Sequence, residues 1–201
     1  MGYLIAVAFL SHTPGVEIIS PVSYRSLEKF LELSVNTDNP TAIRYPNTYE
    51  DDAVREQFFS NNTQDLACSC KVDFDIENPP SYIFVTYGNI VSRVLTAKRM
   101  LEEKGITVGI ILVERVKPFD DTLNLLAKIA KSNTQIVYVE EGIKNGGAGM
   151  ITRSKLYEMG VTPHSFKVVA IDDNFVIPDT LTDIYDYAGF SPEKLINHFE
   201  L

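Results

Sequence analysis

Basic charge is scarce in this chain. Its 18 Lys and Arg residues are outnumbered by 27 Asp and Glu, for a net charge of −9 over 201 residues. Nucleic acids and anionic lipid surfaces are held by clustered cations, so neither is an expected partner. There is no run of about 18 apolar residues, the length that spans a bilayer, and no membrane association is expected. The apolar opening, Met1 to Leu10, lacks the basic lead and small-residue cleavage site of a signal peptide. It reads as a strand or helix lying against a core.

Cysteine is limited to Cys68 and Cys70. Two residues this close would make a strained disulfide, and two thiols with no histidine nearby make a poor metal site. The expectation is reduced thiols in a cytoplasmic protein. The three histidines, His12, His164 and His198, are scattered. They complete no Ser-His-Asp or Cys-His pattern, and only His12, just before a strand, is kept as a candidate. Also missing are the G-x-G-x-x-G fingerprint of nicotinamide-binding domains and the G-K-[ST] of a phosphate-binding loop.

What is present is an ordinary globular composition, 45% apolar and 22% charged, arranged in alternating segments. Strand candidates are Val16 to Ser20 and Thr41 to Tyr45. Between them Ser23 can cap a helix reaching about Val35, with Leu27, Phe30, Leu31 and Leu33 mixed with charges. Residues 47–80 have weak periodicity and many turn formers and read as a linker, with room for one helix (Asp51 to Phe59) and one edge strand (Ser69 to Phe74).

From residue 81 the alternation is regular. Tyr82 to Thr86 and Thr107 to Val113 are continuous apolar runs, as strands buried on both faces are. Gln135 to Glu140 and Phe166 to Ile171 complete four strands. Asn89 to Lys104 repeats apolar residues at helical spacing and stops at Gly105. Helices are also expected over Asp120 to Lys131, Gly146 to Met159, and from Ser191-Pro192 to about Phe199. Strands separated by helices cross over right-handed into a parallel sheet. The expected fold is α/β, a mainly parallel sheet in three layers.

Three motifs carry candidate chemistry. In Val139 to Gly149 a strand ends in Glu140 and Glu141, then a turn with Gly146, Gly147 and Gly149 opens a helix. Uncovered amides at a helix N-terminus can bind an anion. The two carboxylates would repel phosphate, so close packing of the turn against another element or subunit is preferred. In Glu114 to Asp120, Lys117 and Pro118 set a turn and Asp120 can cap the next helix; a solvated loop accounts for the segment, with an interface as the other reading. In Thr41 to Pro46 a strand ends in Arg44, whose planar fork of donors suits phosphate. On spacing alone a surface ion pair is the preferred reading.

Taken in order, these pieces resemble the transketolase family. Pro14 to Pro21, the following helix and Pro40-Thr-Ala-Ile-Arg-Tyr-Pro46 look like the end of its pyrimidine-binding domain, and the Arg-Tyr-Pro form is similar to that of 1-deoxy-D-xylulose-5-phosphate synthases. Val85 to Gly88, Val116 to Asp120, Val139-Glu-Glu and Gly146-Gly-Ala-Gly149 look like the C-terminal domain, and Ile177-Pro-Asp179 again resembles the synthases. The resemblance implies a remnant of the pyrimidine-binding domain over 1–46, a linker over 47–80 and a transketolase-type C-terminal domain over 81–201. It implies a transferase that joins pyruvate to glyceraldehyde 3-phosphate with loss of CO2, a step of isoprenoid biosynthesis, using thiamine diphosphate and Mg²⁺. Arg44 would bind the acceptor's phosphate. The family's Gly-Asp-Gly…Asn segment, which holds Mg²⁺ and diphosphate, and its activating glutamate have no counterpart here. No cofactor is therefore expected on this chain alone. It is expected to be inactive until it meets a polypeptide carrying the cofactor domains, or to form a homodimer. The other reading is a non-catalytic module for oligomerisation or regulation.

Overall fold

The computed structural model describes residues 2–46, 49–60, 69–173, 185–186 and 188–201. The apolar opening is a helix, α1 (Gly2–Ser11). It is apolar along its length; Val7 is buried, while Phe9 is 72% exposed. A short unit follows, with strand β1 (Glu17–Ile19), helix α2 (Tyr24–Ser34) and strand β2 (Thr41–Ile43). Ser23 caps α2 as its residue type predicts. Its hydroxyl accepts from the Ser26 amide at 3.0 Å, and Ser26 answers by accepting from the Ser23 amide at 3.3 Å. The mixed apolar stripe of α2 is buried only through Phe30; Leu31 and Leu33 face outward.

Within 47–80 lie helix α3 (Asp52–Phe59), capped by the Asp51 carboxylate, and strand β3 (Cys70–Val72). Then come β4 (Tyr82–Thr86), a 3₁₀ turn over Gly88–Ile90, α4 (Val91–Glu102), β5 (Val108–Val113), β6 (Arg115–Lys117), α5 (Asp120–Ile129), β7 (Gln135–Ile143), α6 (Ala148–Glu158), β8 (Ser165–Ile171) and α7 (Pro192–Ile196). Cys70 is in no disulfide, and its Sγ lies 3.3 Å from the Thr122 hydroxyl. Cys68 and the Ile177-Pro-Asp179 motif lie outside the described residues.

The larger sheet has the order β3-β5-β4-β7-β8. Strands β5, β4, β7 and β8 are parallel, and β3 closes one edge antiparallel to β5. The apolar runs are buried on both faces, as their composition requires: Ile83, Phe84, Val85, Ile110, Ile111 and Leu112 are all inaccessible. The α4 stripe Ile90, Val94, Ala97 and Leu101 packs with α3 and α7 over one face. Helices α5, α6 and α1 cover the other. This is the three-layer α/β arrangement expected. The smaller sheet has the order β2-β1-β6, with β1 parallel to β2 and antiparallel to β6.

Strand β6 corrects the reading of Glu114 to Asp120 as a solvated loop. Glu114 and Val116 are buried, and the segment forms a strand because it pairs with β1, almost a hundred residues earlier. Asp120 is not the cap of α5. Phe119 occupies that position in helical conformation without a side-chain hydrogen bond, and Asp120 is the first helical residue, where its charge favours the positive end of the helix. The Lys117-Pro118 peptide is cis. Lys117 Nζ reaches back to the Leu10 and Thr13 carbonyls at 3.3 and 2.5 Å, satisfying the C-terminal end of α1.

Candidate functional site

The order β5-β4-β7-β8 reverses direction at β4. The chain leaves β4 toward β5 by α4 on one face, then crosses back to β7 by α5 on the other. The loops after β4 and β7 therefore diverge at the C-terminal ends of the strands, the place where open parallel sheets bind ligands. Tyr87, Gly88, Glu140 and Glu141 are buried there. Arg44 meets Glu141 from the end of β2.

Glu140 and Glu141 are adjacent in a strand, so their side chains point to opposite faces. Glu140 turns toward α6. Its Oε1 accepts from the Gly149 amide at 3.0 Å, and its Oε2 accepts from the Ala148 amide at 3.0 Å and from the Tyr87 hydroxyl at 2.9 Å. Burial pushes its carboxyl above the ordinary range, against the pull of these donors. Burial, then the neighbouring Glu140 charge, pushes the Tyr87 phenol well above its usual value. Gly147 leaves room for this carboxylate: a Cβ there would lie 2.6 Å from Glu140 Oε1 and from the Ile143 carbonyl. One on Gly149 would first meet Val168 at 2.9 Å and the Tyr138 ring at 3.0 Å, with Glu140 Oε1 at 3.1 Å. The amides at this helix N-terminus, the place for an anion, already hold the protein's own carboxylate. Gly146 packs on the other side, where a Cβ would sit 3.1 Å from the His12 ring. His12 itself bonds the Ala8 carbonyl through Nδ1 at 2.7 Å, so its local role is within α1.

Glu141 turns toward Arg44. Arg44 Nη2 donates to Glu141 Oε2 at 2.9 Å, and the guanidinium lies 5.7 Å from the Tyr87 ring centroid. Gly88, at φ +73°, is needed here twice: for its conformation and because a Cβ would fall 2.4 Å from Arg44 Nη1. The Tyr185 hydroxyl donates to the other Glu141 oxygen. Burial raises the Glu141 carboxyl, opposed by Arg44 and then Arg93. The ion pair expected for Arg44 is thus present, but its partner is buried rather than at the surface.

A third buried carboxylate, Glu114, joins the two sheets. Oε1 accepts from the Ser26 hydroxyl at 2.7 Å and the Val22 amide at 3.1 Å, and Lys71 Nζ lies 3.6 Å from Oε2. Sequence reading did not find Glu114 or the role of Glu141, because both depend on partners 43 to 97 residues away. His164 and His198 lie elsewhere, near the C-terminus; His164 contacts Glu200 at 3.4 Å.

Residues 74–195, more than half of the chain, match the family model of the transketolase C-terminal domain. The chain belongs to this family. Its relatives include the 1-deoxy-D-xylulose-5-phosphate synthase of Campylobacter fetus subsp. fetus, 29% identical over 195 residues that cover 96% of this chain and 30% of that protein. The synthase of Clostridium perfringens is 28% identical over 198 residues, covering 95% and 29%. The chain therefore spans about three tenths of these relatives' length. The transketolase of Campylobacter jejuni superposes with a TM-score of 0.71 at 16% identity, over 96% of this chain and 27% of that one. A structure described as a split-gene transketolase, inactive beta4 tetramer, superposes at 0.69 with 17% identity, over 97% and 60%. At these identities the superpositions establish the fold.

Among the described residues no three His, Cys, Asp or Glu converge as metal ligands, and the amides at the start of α6 are taken by Glu140. No helix of the described residues is long and apolar enough to cross a membrane.

Proposed function

We propose that these residues are the C-terminal part of a thiamine-diphosphate-dependent transferase similar to 1-deoxy-D-xylulose-5-phosphate synthase. The reaction joins pyruvate to glyceraldehyde 3-phosphate and releases CO2, and Arg44 holds the acceptor's phosphate. The observation that carries the reading is the place of Arg44. It follows β2 and meets Glu141 at 2.9 Å by the C-terminal ends of β4 and β7, where open parallel sheets bind ligands.

On this reading residues 1–46 belong to a pyrimidine-binding domain, 47–80 connect, and 81–201 form the C-terminal domain. Thiamine diphosphate and Mg²⁺ are held by polypeptide beyond these residues, and the 201 residues alone are inactive. The unit before the connection supports this. Seven large apolar side chains there are exposed, from Ile5 and Phe9 to Tyr45, against four in the rest of the described chain. One edge of β2 is also unpaired among the described residues. Unpaired edges and apolar patches mark contact surfaces, here for the cofactor-bearing polypeptide or a second copy. A cytoplasmic location goes with this reading.

The test adds the cofactor-bearing polypeptide to this chain and follows CO2 release from pyruvate in the presence of glyceraldehyde 3-phosphate. The mixture is expected to be active. Arg44→Met should raise KM for the phosphorylated acceptor with little change in KM for pyruvate. Isothermal titration of the chain alone with thiamine diphosphate and Mg²⁺ should give no binding, and tight binding there would contradict the reading. A second reading, a non-catalytic assembly module, draws support from the inactive tetramer of the split-gene neighbour. It predicts stable self-association and no activity in any mixture.

A further inference from the structure

Arg44 is already engaged where it meets β7. The Arg44 and Glu141 side chains are 19% and 7% exposed, and they meet at 2.9 Å. The Tyr185 hydroxyl donates to the second Glu141 oxygen, and the Arg93 guanidinium lies over the Tyr185 ring at 4.7 Å. Glu140 alone serves the turn and α6, so the packing there does not call for a second carboxylate. Glu141 places one where an arginine-bound ligand anion would lie.

We propose that Glu141 is a built-in competitor for Arg44. An entering phosphate ester displaces its carboxylate, and this requirement makes the site select phosphate dianions over monocarboxylates. The inference rests on the reading of Arg44 as the phosphate ligand. A free monocarboxylate brings the same charge and the same two oxygens that Glu141 presents. It competes with a tethered group whose effective concentration is of millimolar order or above. A phosphate ester brings a charge of about −1.5 to −2 and three acceptor oxygens, and it meets the guanidinium fork in bidentate fashion. Displaced Glu141 keeps Tyr185 as a donor and Arg93 beside it, so its release does not strand a bare charge. Selection of this kind suits a site that must hold a phosphorylated acceptor while its co-substrate is a monocarboxylate.

The test is a titration of the 201-residue chain with inorganic phosphate and with acetate, read by NMR at the arginine Nε–Hε resonances. Wild type, Glu141→Gln and Glu141→Asp are compared, each with and without Arg44→Met. Glu141→Gln should tighten phosphate roughly tenfold, within the usual range of coupling between two sites, and should let acetate bind, so that the preference for phosphate narrows. Glu141→Asp keeps the charge but withdraws it by one methylene. It should shift both affinities in the same direction by less, and it serves if Glu141→Gln fails to fold. Arg44→Met should abolish both. Phosphate binding that needs Arg44 but is unchanged by either Glu141 substitution overturns the competitor role and leaves the Arg44 reading standing. Phosphate binding indifferent to Arg44→Met, or absent from every variant, removes that reading and this inference with it.

Discussion

Glu114 shows what one buried carboxylate does to the chain. Burial raises its carboxyl, while the Ser26 hydroxyl, the Lys71 charge and the Val22 amide pull it back. Its folded value lies above the ordinary carboxylate value that the unfolded chain keeps. Between those two points the folded form holds more protons, so stability falls as pH rises through that window. Asp73, Glu140 and Glu141, all raised first by burial, act in the same direction. Glu114→Gln should flatten this decline, measured as urea midpoints across the mildly acidic range; an unchanged slope would remove Glu114 from the account. Gly147 gives a second residue-level prediction. Its φ of −69° is open to any residue, so only space is at stake. Gly147→Ala should cost about 1–3 kcal/mol of unfolding free energy, as overpacking does. The cost should shrink in a Glu140→Ala background, where the Oε1 contact at 2.6 Å is gone; strict additivity would show that the carboxylate is not what Gly147 admits.

At the scale of elements, α1 is held by what lies outside it. It is apolar around its whole circumference, so no stripe dictates which side is buried. Its C-terminal carbonyls are met by Lys117 from β6. Lys117→Met should destabilise the chain by about 1.5 kcal/mol, the scale of a charge-assisted hydrogen bond. Amide exchange should quicken in α1 before it does in β4 or β7. Equal acceleration everywhere would mean that Lys117 supports the whole fold instead. Helices α2 and α4 were legible because their signals are local: Ser23 stands at the start of one, and a 3.6-residue repeat from Ile90 to Leu101 runs through the other. Strand β6 was not legible, since three residues, Arg115 to Lys117, carry too short a pattern and their partner is β1.

Across the whole molecule, the two sheets are tied by β1 against β6 and by Glu114, which gathers Ser26, Val22 and Lys71 in one buried cluster. Cutting that cluster would strand a buried charge, so the smaller sheet should not melt by itself. Thermal unfolding should be a single transition, with far-ultraviolet signal and tyrosine near-ultraviolet signal coincident. An early tyrosine phase, reporting Tyr24 and Tyr45 apart from Tyr87 and Tyr138, would show the units to be independent.

The sequence by itself determined the class of the fold and the parallel strands of the larger sheet, because continuous apolar runs, helical repeats and glycine stops act over a few residues at a time. It also marked Arg44, Glu140, Glu141 and the glycine-rich turn as candidate positions. Only the tertiary structure decided their contacts. Glu140 and Glu141 are neighbours of one type, separated by nothing in sequence but the strand's alternation. One fills the start of α6 and the other meets Arg44, and that division follows from which distant donors the fold brings to each face of β7.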